Sequence, residues 1–281
     1  MSGLLSGTGA SFDWSAFGAA LPWTALAVVV LLAATLAVAL RVGRHAVIDI
    51  AWGLGFVAIA AVAFGLGGGS GVASRRWLVL ALTTLWGTRL AVHIGLRSRG
   101  KGEDRRYEEI LSRAGGSRTA HAVRTVYVPL GAIMWFVSLP VQVAMFQPQS
   151  PSASPLVWLG AALWAVGFAF ETVGDLQLTR FSADPANRGR VLDTGLWRYT
   201  RHPNYFGDAC VWWGLSVVAF SAWPGILTVL SPVLMTWLLA RGTGKPLLEK
   251  DIGSRRPGYR EYVERTSGFL PLPPRKDAAP R

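Results

Sequence analysis

Long apolar runs constrain this chain more than anything else in it. Residues 25–40 read ALAVVVLLAATLAVAL, with one hydroxyl and no charge. A helix that crosses a bilayer needs about 20 mostly apolar residues. Runs of that kind predict seven spans, near 22–41, 46–66, 77–96, 123–147, 155–175, 205–221 and 224–240. Only 16% of the residues are charged, against about 25% in a soluble domain. The expected fold is therefore all-α, a polytopic membrane helix bundle. The opening MSGLLSGTGASFDW lacks a basic stretch before its apolar run, so that run reads as a retained span. The single cysteine, Cys210, excludes an internal disulfide and a cysteine metal cluster.

The formal net charge is +12. Nucleic acid is one partner for such a chain, but the charge follows membrane topology instead. Of the 28 lysines and arginines, 25 fall in the first, third and fifth loops and the C-terminal tail. Arg75 and Arg76 read as second-loop residues, and Arg89 lies inside a span. The positive-inside rule then predicts an outside N-terminus and a cytoplasmic C-terminus. The expected organisation is a short extracytoplasmic segment (1–21), one transmembrane domain (22–272) and a disordered tail (273–281). Three cytoplasmic pieces are long enough to build structure. GEDRRYEEILSRAG lies within 97–122 and predicts a short helix. Residues 176–203 read as a loop. RPGYREYVER predicts a tail helix started by Pro257.

Charges within spans are costly and mark sites or ion pairs. Asp49 opens the second span, either as an interfacial acid near Arg44 or as a polar group at the floor of a lipid pocket. Arg89 and His93 are four residues apart, with Trp86 on the same helical face. Together they favour a shared anionic partner. Glu171 and Asp175 have the same spacing and need cationic partners, a shared proton, or a ligand's hydroxyl or amide. The stretch GLWRYTRHPNYFGD gathers Arg198, Arg201, His202, Asn204, Tyr205 and Asp208 where Pro203 breaks the chain before the sixth span. Helix starts flanked by arginine attract phosphate or carboxylate. His45 and His121 read as ordinary interfacial histidines.

At GLWRYTRHPNYFGD the sequence resembles the membrane reductases of the steroid 5-alpha-reductase family, which includes sterol C14 reductases. LWGTRLAVHIGLRSRGKGEDRRY, the Glu171/Asp175 helix and the tail RPGYREYVERTSGFLP carry the likeness further, over about residues 85–271. Isoprenylcysteine and phospholipid methyltransferases share a similar element. The resemblance implies a bundle of about seven spans with a cytoplasm-facing NADPH site. It implies that Asn204, Tyr205 and Asp208 contact the cofactor, that Arg89 matches a third-span arginine, and that Asp175 and Tyr262 match an acid and a tail tyrosine. Where the steroid enzymes use a second-span glutamate and a third-span tyrosine, this chain has Asp49 and Trp86.

The activity so implied is reduction of an activated carbon–carbon double bond in a lipid, with hydride from NADPH. Arg89, Arg97, Arg198 and Arg201 suit the cofactor's phosphates, and His93 and His202 are counted with them as cofactor-binding candidates. Glu171, Asp175 and Asp208 suit its ribose or carboxamide, beside Asn204, Tyr205 and Tyr262. Asp49, held protonated in an apolar pocket, and Tyr205 are the candidate catalytic donors. No glycine-rich Rossmann fingerprint follows a strand, and no metal site is expected. An S-adenosylmethionine-dependent lipid or isoprenylcysteine methyltransferase is the alternative, and a non-enzymatic lipid-binding protein the second. The expected setting is a bacterial cytoplasmic membrane, with membrane lipids as neighbours and no nucleic acid.

Overall fold

A computed structural model describes residues 11–148, 154–242, 244, 249 and 256–275. Among these residues the secondary structure is helical, with one isolated bridge between Thr200 and Ser267. The chain divides into two compact units. One comprises residues 1–157 and 218–231, the other 158–217 and 232–281.

The first unit opens with α1 (Trp14–Val42), which starts earlier than the predicted span and ends at Gly43 in a left-handed conformation. Asp13 caps it by accepting the Ala16 N–H at 2.9 Å. The α2 helix (Ile48–Leu66) and α3 (Ala73–Arg97) follow. Because α3 begins at Ala73, Arg75 and Arg76 are helical and buried, not loop residues as expected. The helices α2 and α3 approach at Gly53 and Gly87. A Cβ on Gly87 would lie 2.5 Å from the Gly53 carbonyl oxygen.

Beyond α3 come α4 (Arg105–Leu111), at the predicted short helix, and α5 (Arg118–Ala122). The fourth predicted span is broken. A π-helical turn (Val123–Tyr127) leads into α6 (Val128–Val137), and Ser138 separates α6 from α7 (Leu139–Ala144). Pro129 and Pro140 lack the N–H that continuous α-helix needs. Polar side chains hold this broken span to α1. Thr24 donates to Gln142 Oε1 at 2.8 Å and accepts from Trp135 Nε1 at 3.0 Å. Gln142 Nε2 in turn donates to Ser138 Oγ at 2.8 Å.

The second unit contains most of α8 (Ser154–Ala183), of α9 (Pro203–Phe220) and of α10 (Leu230–Ala240), and the tail helix α11 (Tyr259–Arg265). The α8 helix continues past residue 175, so Gln177 and Arg180 are helical where a loop was expected. Pro203 starts α9. Pro257 precedes α11 by two residues, and Gly258, at φ +80°, makes the turn into it. Glycines set the α8–α9 contact. Gly160, Gly167 and Gly174 are one heptad apart, as are Gly207 and Gly214. A Cβ on Gly167 would lie 2.5 Å from Gly207 O and 2.6 Å from Val211 N; one on Gly214 would lie 2.6 Å from Trp164 N. Small residues let backbones meet at van der Waals distance, which is what associates helices in lipid.

Five helical stretches are long and apolar enough to span a bilayer: Trp14–Val42, His45–Gly69, Ala73–Arg97, Arg118–Ala144 and Pro155–Ala183. The two remaining predicted spans are helical but do not reach that standard. The α9 helix has a polar start, and Gly225–Ala240 is short. Of the predicted tail, residues 273–275 carry no regular structure and 276–281 lie outside the described residues, as do residues 1–10.

Gly167→Leu should cost about 1–3 kcal/mol or more through overpacking and sharply reduce the yield of monodisperse protein in detergent. Gly18→Ala, at a site with nothing within 4 Å, should be neutral or should stabilise by up to about 1 kcal/mol. Melting curves of the two purified variants check the contrast.

Candidate functional site

Polar chemistry gathers in two clusters, one within each unit. In the first unit, Glu103 anchors the start of α2. Its carboxylate accepts the His45 N–H and, at 2.9 Å, the Ala46 N–H. Arg44, the expected neighbour of Asp49, instead donates to the Ser98 and Lys101 carbonyls. Asp49 sits one turn into α2 and is held by α4. Arg106 Nη2 donates to its Oδ2 at 2.8 Å and the Tyr107 hydroxyl to its Oδ1 at 2.5 Å. An apolar pocket around Asp49 was expected. Asp49 instead has a guanidinium and a phenol as neighbours and accepts from both.

Asp104 caps α4 and accepts from Arg106 Nε at 3.0 Å. Burial alone would raise its carboxyl. The Arg106 hydrogen bonds and charge, with Arg97 adding to them, hold it below the usual range. Burial likewise works against the Arg106 charge, but Asp104 and Asp49 more than offset it and hold the guanidinium protonated. Burial and then the Asp49 charge push the Tyr107 phenol well above its ordinary value. Tyr107 therefore stays a neutral hydrogen-bond donor across physiological pH. Trp86 is fully buried against Phe56, with ring centroids 5.6 Å apart. Arg89 and His93 lie half-buried on α3, and Arg97 is exposed at its end.

In the second unit the α9 start is tied to α8 and to the tail. Glu171, Asp175 and Asp208 are all buried. Asn204 Nδ2 donates to Asp175 Oδ1 at 3.2 Å. The Asn204 Oδ1 is buried and has no hydrogen-bond partner among the described residues. Arg201 is committed within the protein. Its Nε donates to Glu249 at 2.9 Å, and its Nη1 donates to the Thr266 and Val263 carbonyls at 2.9 and 3.1 Å. His202 bonds the same Glu249 oxygen at 2.9 Å and stacks on Tyr205, with centroids 5.3 Å apart.

Burial would raise the Glu249 carboxyl, but His202 and Arg201 together bring it down to about 2. Burial, with Glu249 beside it, pushes the Tyr259 phenol up to about 12. Tyr262 was expected at the cofactor. It is 3% exposed, and its hydroxyl donates to the Trp197 carbonyl at 2.6 Å. Trp197 Nε1 donates in turn to Gly174 O at 3.1 Å. Tyr262 thus braces the tail against the 195–198 turn. Arg198, in that turn, is exposed.

The structure therefore joins Asn204 with Asp175, and Arg201 with His202. It places Arg89, His93 and Arg97 on α3 and Asp49 with α4. Sequence reasoning missed Tyr107, Arg106 and Glu249. GEDRRY was read as a helix, but no local spacing says that its tyrosine meets an acid 58 residues earlier.

A helical membrane protein with a partly exposed polar cluster in one unit and a buried one in the other is the class these features define. The chain belongs to the DUF1295 family, described as proteins of unknown function, whose model matches residues 35–266. It is similar to an uncharacterized protein of Schizosaccharomyces pombe, with 25% identity over 237 residues, 72% of this chain and 65% of the yeast protein. The chain thus spans just under two thirds of that relative's length. No solved structure matches it.

Glu249→Gln should leave Arg201 buried without its counter-charge and cost about 2 kcal/mol. The acid dependence gives a second readout. Glu249 sits below its ordinary value of 4.5, so its contribution is full above about pH 4.5 and is lost as pH falls towards 2. Melting temperatures between pH 3 and 6 should show that decline in the native protein, and Glu249→Gln should lack it.

Proposed function

We propose that this protein is a membrane reductase of the steroid 5-alpha-reductase type, acting on an activated carbon–carbon double bond in a lipid. What carries the reading is the buried, unpartnered Asn204 Oδ1 beside Asp175, within the HPNY element quoted for the resemblance. A buried acceptor without a donor costs about 1–3 kcal/mol. A ribose hydroxyl or a carboxamide N–H of NADPH fits it. Asn204 and Asp175 would hold that part of the cofactor, and exposed Arg198 its phosphates. Bound NADPH supplies a hydride; the residues supply position and electrostatics.

On the substrate side we assign the donor role to Tyr205, which follows Asn204 in the same unit and stacks on His202. As charge develops on a carbonyl oxygen conjugated to the reacting double bond, the Tyr205 O–H would donate to that oxygen, and a proton from solvent would reach the neighbouring carbon to complete the reduction. A preformed donor of this kind contributes about 100- to 1,000-fold in rate. The reading includes seven spans, an outside N-terminus, a cytoplasmic C-terminus and a bacterial inner-membrane location, with the positive-inside charge distribution in support.

One observation favours a second reading, an S-adenosylmethionine-dependent lipid methyltransferase. Arg201 and His202 are engaged by Glu249, which occupies one expected phosphate ligand and a second cofactor-binding candidate. A methyl donor carries no phosphate and does not need them.

The test is thermal stability of the detergent-purified protein with NADPH, NADH and S-adenosylmethionine in parallel, since a ligand of the folded state raises the melting temperature. A rise with NADPH that Asn204→Ala abolishes is the expected result. A rise with S-adenosylmethionine alone overturns the reductase reading. With a lipid substrate in hand, Tyr205→Phe should lower kcat for NADPH oxidation about 100-fold.

A further inference from the structure

Within the first unit, one corner holds two cations that nothing in the clusters above uses. Arg75 and Arg76 lie in the first turn of the 25-residue α3 and are only 6% and 8% exposed. The start of a helix is its positive end, where a cation is disfavoured and an anion is stabilised. Val72 provides no side-chain cap, so the first N–H groups of α3 add donors to the same place.

The partners of the two arginines are neutral. Arg75 Nη1 donates to the Pro148 carbonyl at 3.2 Å and lies 3.5 Å from Gln147 Oε1. Arg76 Nη2 donates to the Phe64 carbonyl, and its guanidinium lies over the Phe64 ring, 4.5 Å from the centroid. Neither makes an ion pair with a carboxylate among the described residues, and the Nε of each is buried without a partner. Asp13, which Ser70 ties to this corner, is taken up by the Ser70 hydroxyl and the Ala16 N–H. Two adjacent buried guanidiniums with no carboxylate in ion-pair range are costly unless a further anion compensates them.

The chain leading into α3 leaves room for one. It reads GGGSG, residues 67–71. Gly67 and Gly71 pack against the Met145 main chain with no space for a Cβ, and the open part is Gly68–Gly69: a Cβ on Gly68 would find only the Arg76 guanidinium, at 3.8 and 4.0 Å, and one on Gly69 would find nothing within 4 Å. A glycine-rich turn entering a helix N-terminus is a recurrent phosphate cradle, and the guanidinium fork matches phosphate oxygens. The level in the membrane agrees. Trp77 is 61% exposed one residue after Arg76, and Trp14, 53% exposed, starts the neighbouring α1. Exposed tryptophans of this kind sit at the membrane–water interface, the depth of lipid phosphodiesters.

We propose that the Gly67–Gly71 turn and the first turn of α3 bind a phosphate-class anion, a lipid phosphodiester or a free phosphate, through Arg75 and Arg76. The test uses the full chain in neutral detergent, washed until no phosphorus remains. Its melting temperature is titrated with phosphatidylglycerol, with inorganic phosphate and with diacylglycerol at matched ionic strength. A saturable rise of several degrees is expected with phosphatidylglycerol if the source is a lipid, or with inorganic phosphate if it is free, and none with diacylglycerol. Arg75→Gln/Arg76→Gln should abolish that rise. Arg76→Lys, which keeps the charge and loses the fork, should weaken apparent binding at least tenfold and covers the case in which the double variant does not fold. No rise with either phosphate form, or a rise that both variants retain in full, overturns the proposal.

Discussion

Hydrocarbon offers no hydrogen bonds, so a chain that crosses it must satisfy its own backbone. That requirement makes the long elements helical and limits where the helix can be interrupted. The fourth span shows the limit at work. Pro129 and Pro140 break its regular bonding, and the break is accommodated by a π-helical turn and by the Thr24–Gln142–Ser138 set of side-chain bonds. The same requirement explains the glycines. Without a hydrophobic drive between helices in lipid, close backbone approach supplies the attraction, and Gly53 with Gly87, and Gly167 with Gly207, permit it.

Polar groups obey the same rule and acquire partners from distant parts of the sequence. Asp49 is matched by Arg106 and Tyr107, and Arg201 by Glu249 and two main-chain carbonyls. The second set is structural, because it ties the start of α9 to the tail helix. The first joins α4 to the start of α2. Asn204 Oδ1 and the Nε atoms of Arg75 and Arg76 are among the buried polar atoms that have no hydrogen-bond partner among the described residues.

Much of the fold was legible because it follows from hydropathy and loop charge, which are local properties. Helices stand at every predicted span, and α4 and α11 fall close to where the sequence places them. The boundaries were less legible. The α8 helix runs on through Gln177 and Arg180 because a polar residue can continue a helix once it leaves the apolar layer, and hydropathy reports only the layer. Arg75 and Arg76 were assigned to a loop for the same reason. The heptad spacing of Gly160, Gly167 and Gly174 was present in the sequence, but its meaning depends on a partner helix with glycines in register.

The sequence alone determined that this is a helical membrane chain, because length and apolarity suffice to specify a span. It also determined which polar residues stand out, since a charge in an apolar run is visible without a structure. Only the tertiary structure decided their partners. It gave Asp49 a tyrosine from α4, engaged Arg201 and Tyr262 within the protein, and left Asn204 with an open acceptor. The physical reason is that a hydrogen bond is fixed by distance and direction between groups tens of residues apart, and neither is written in local spacing.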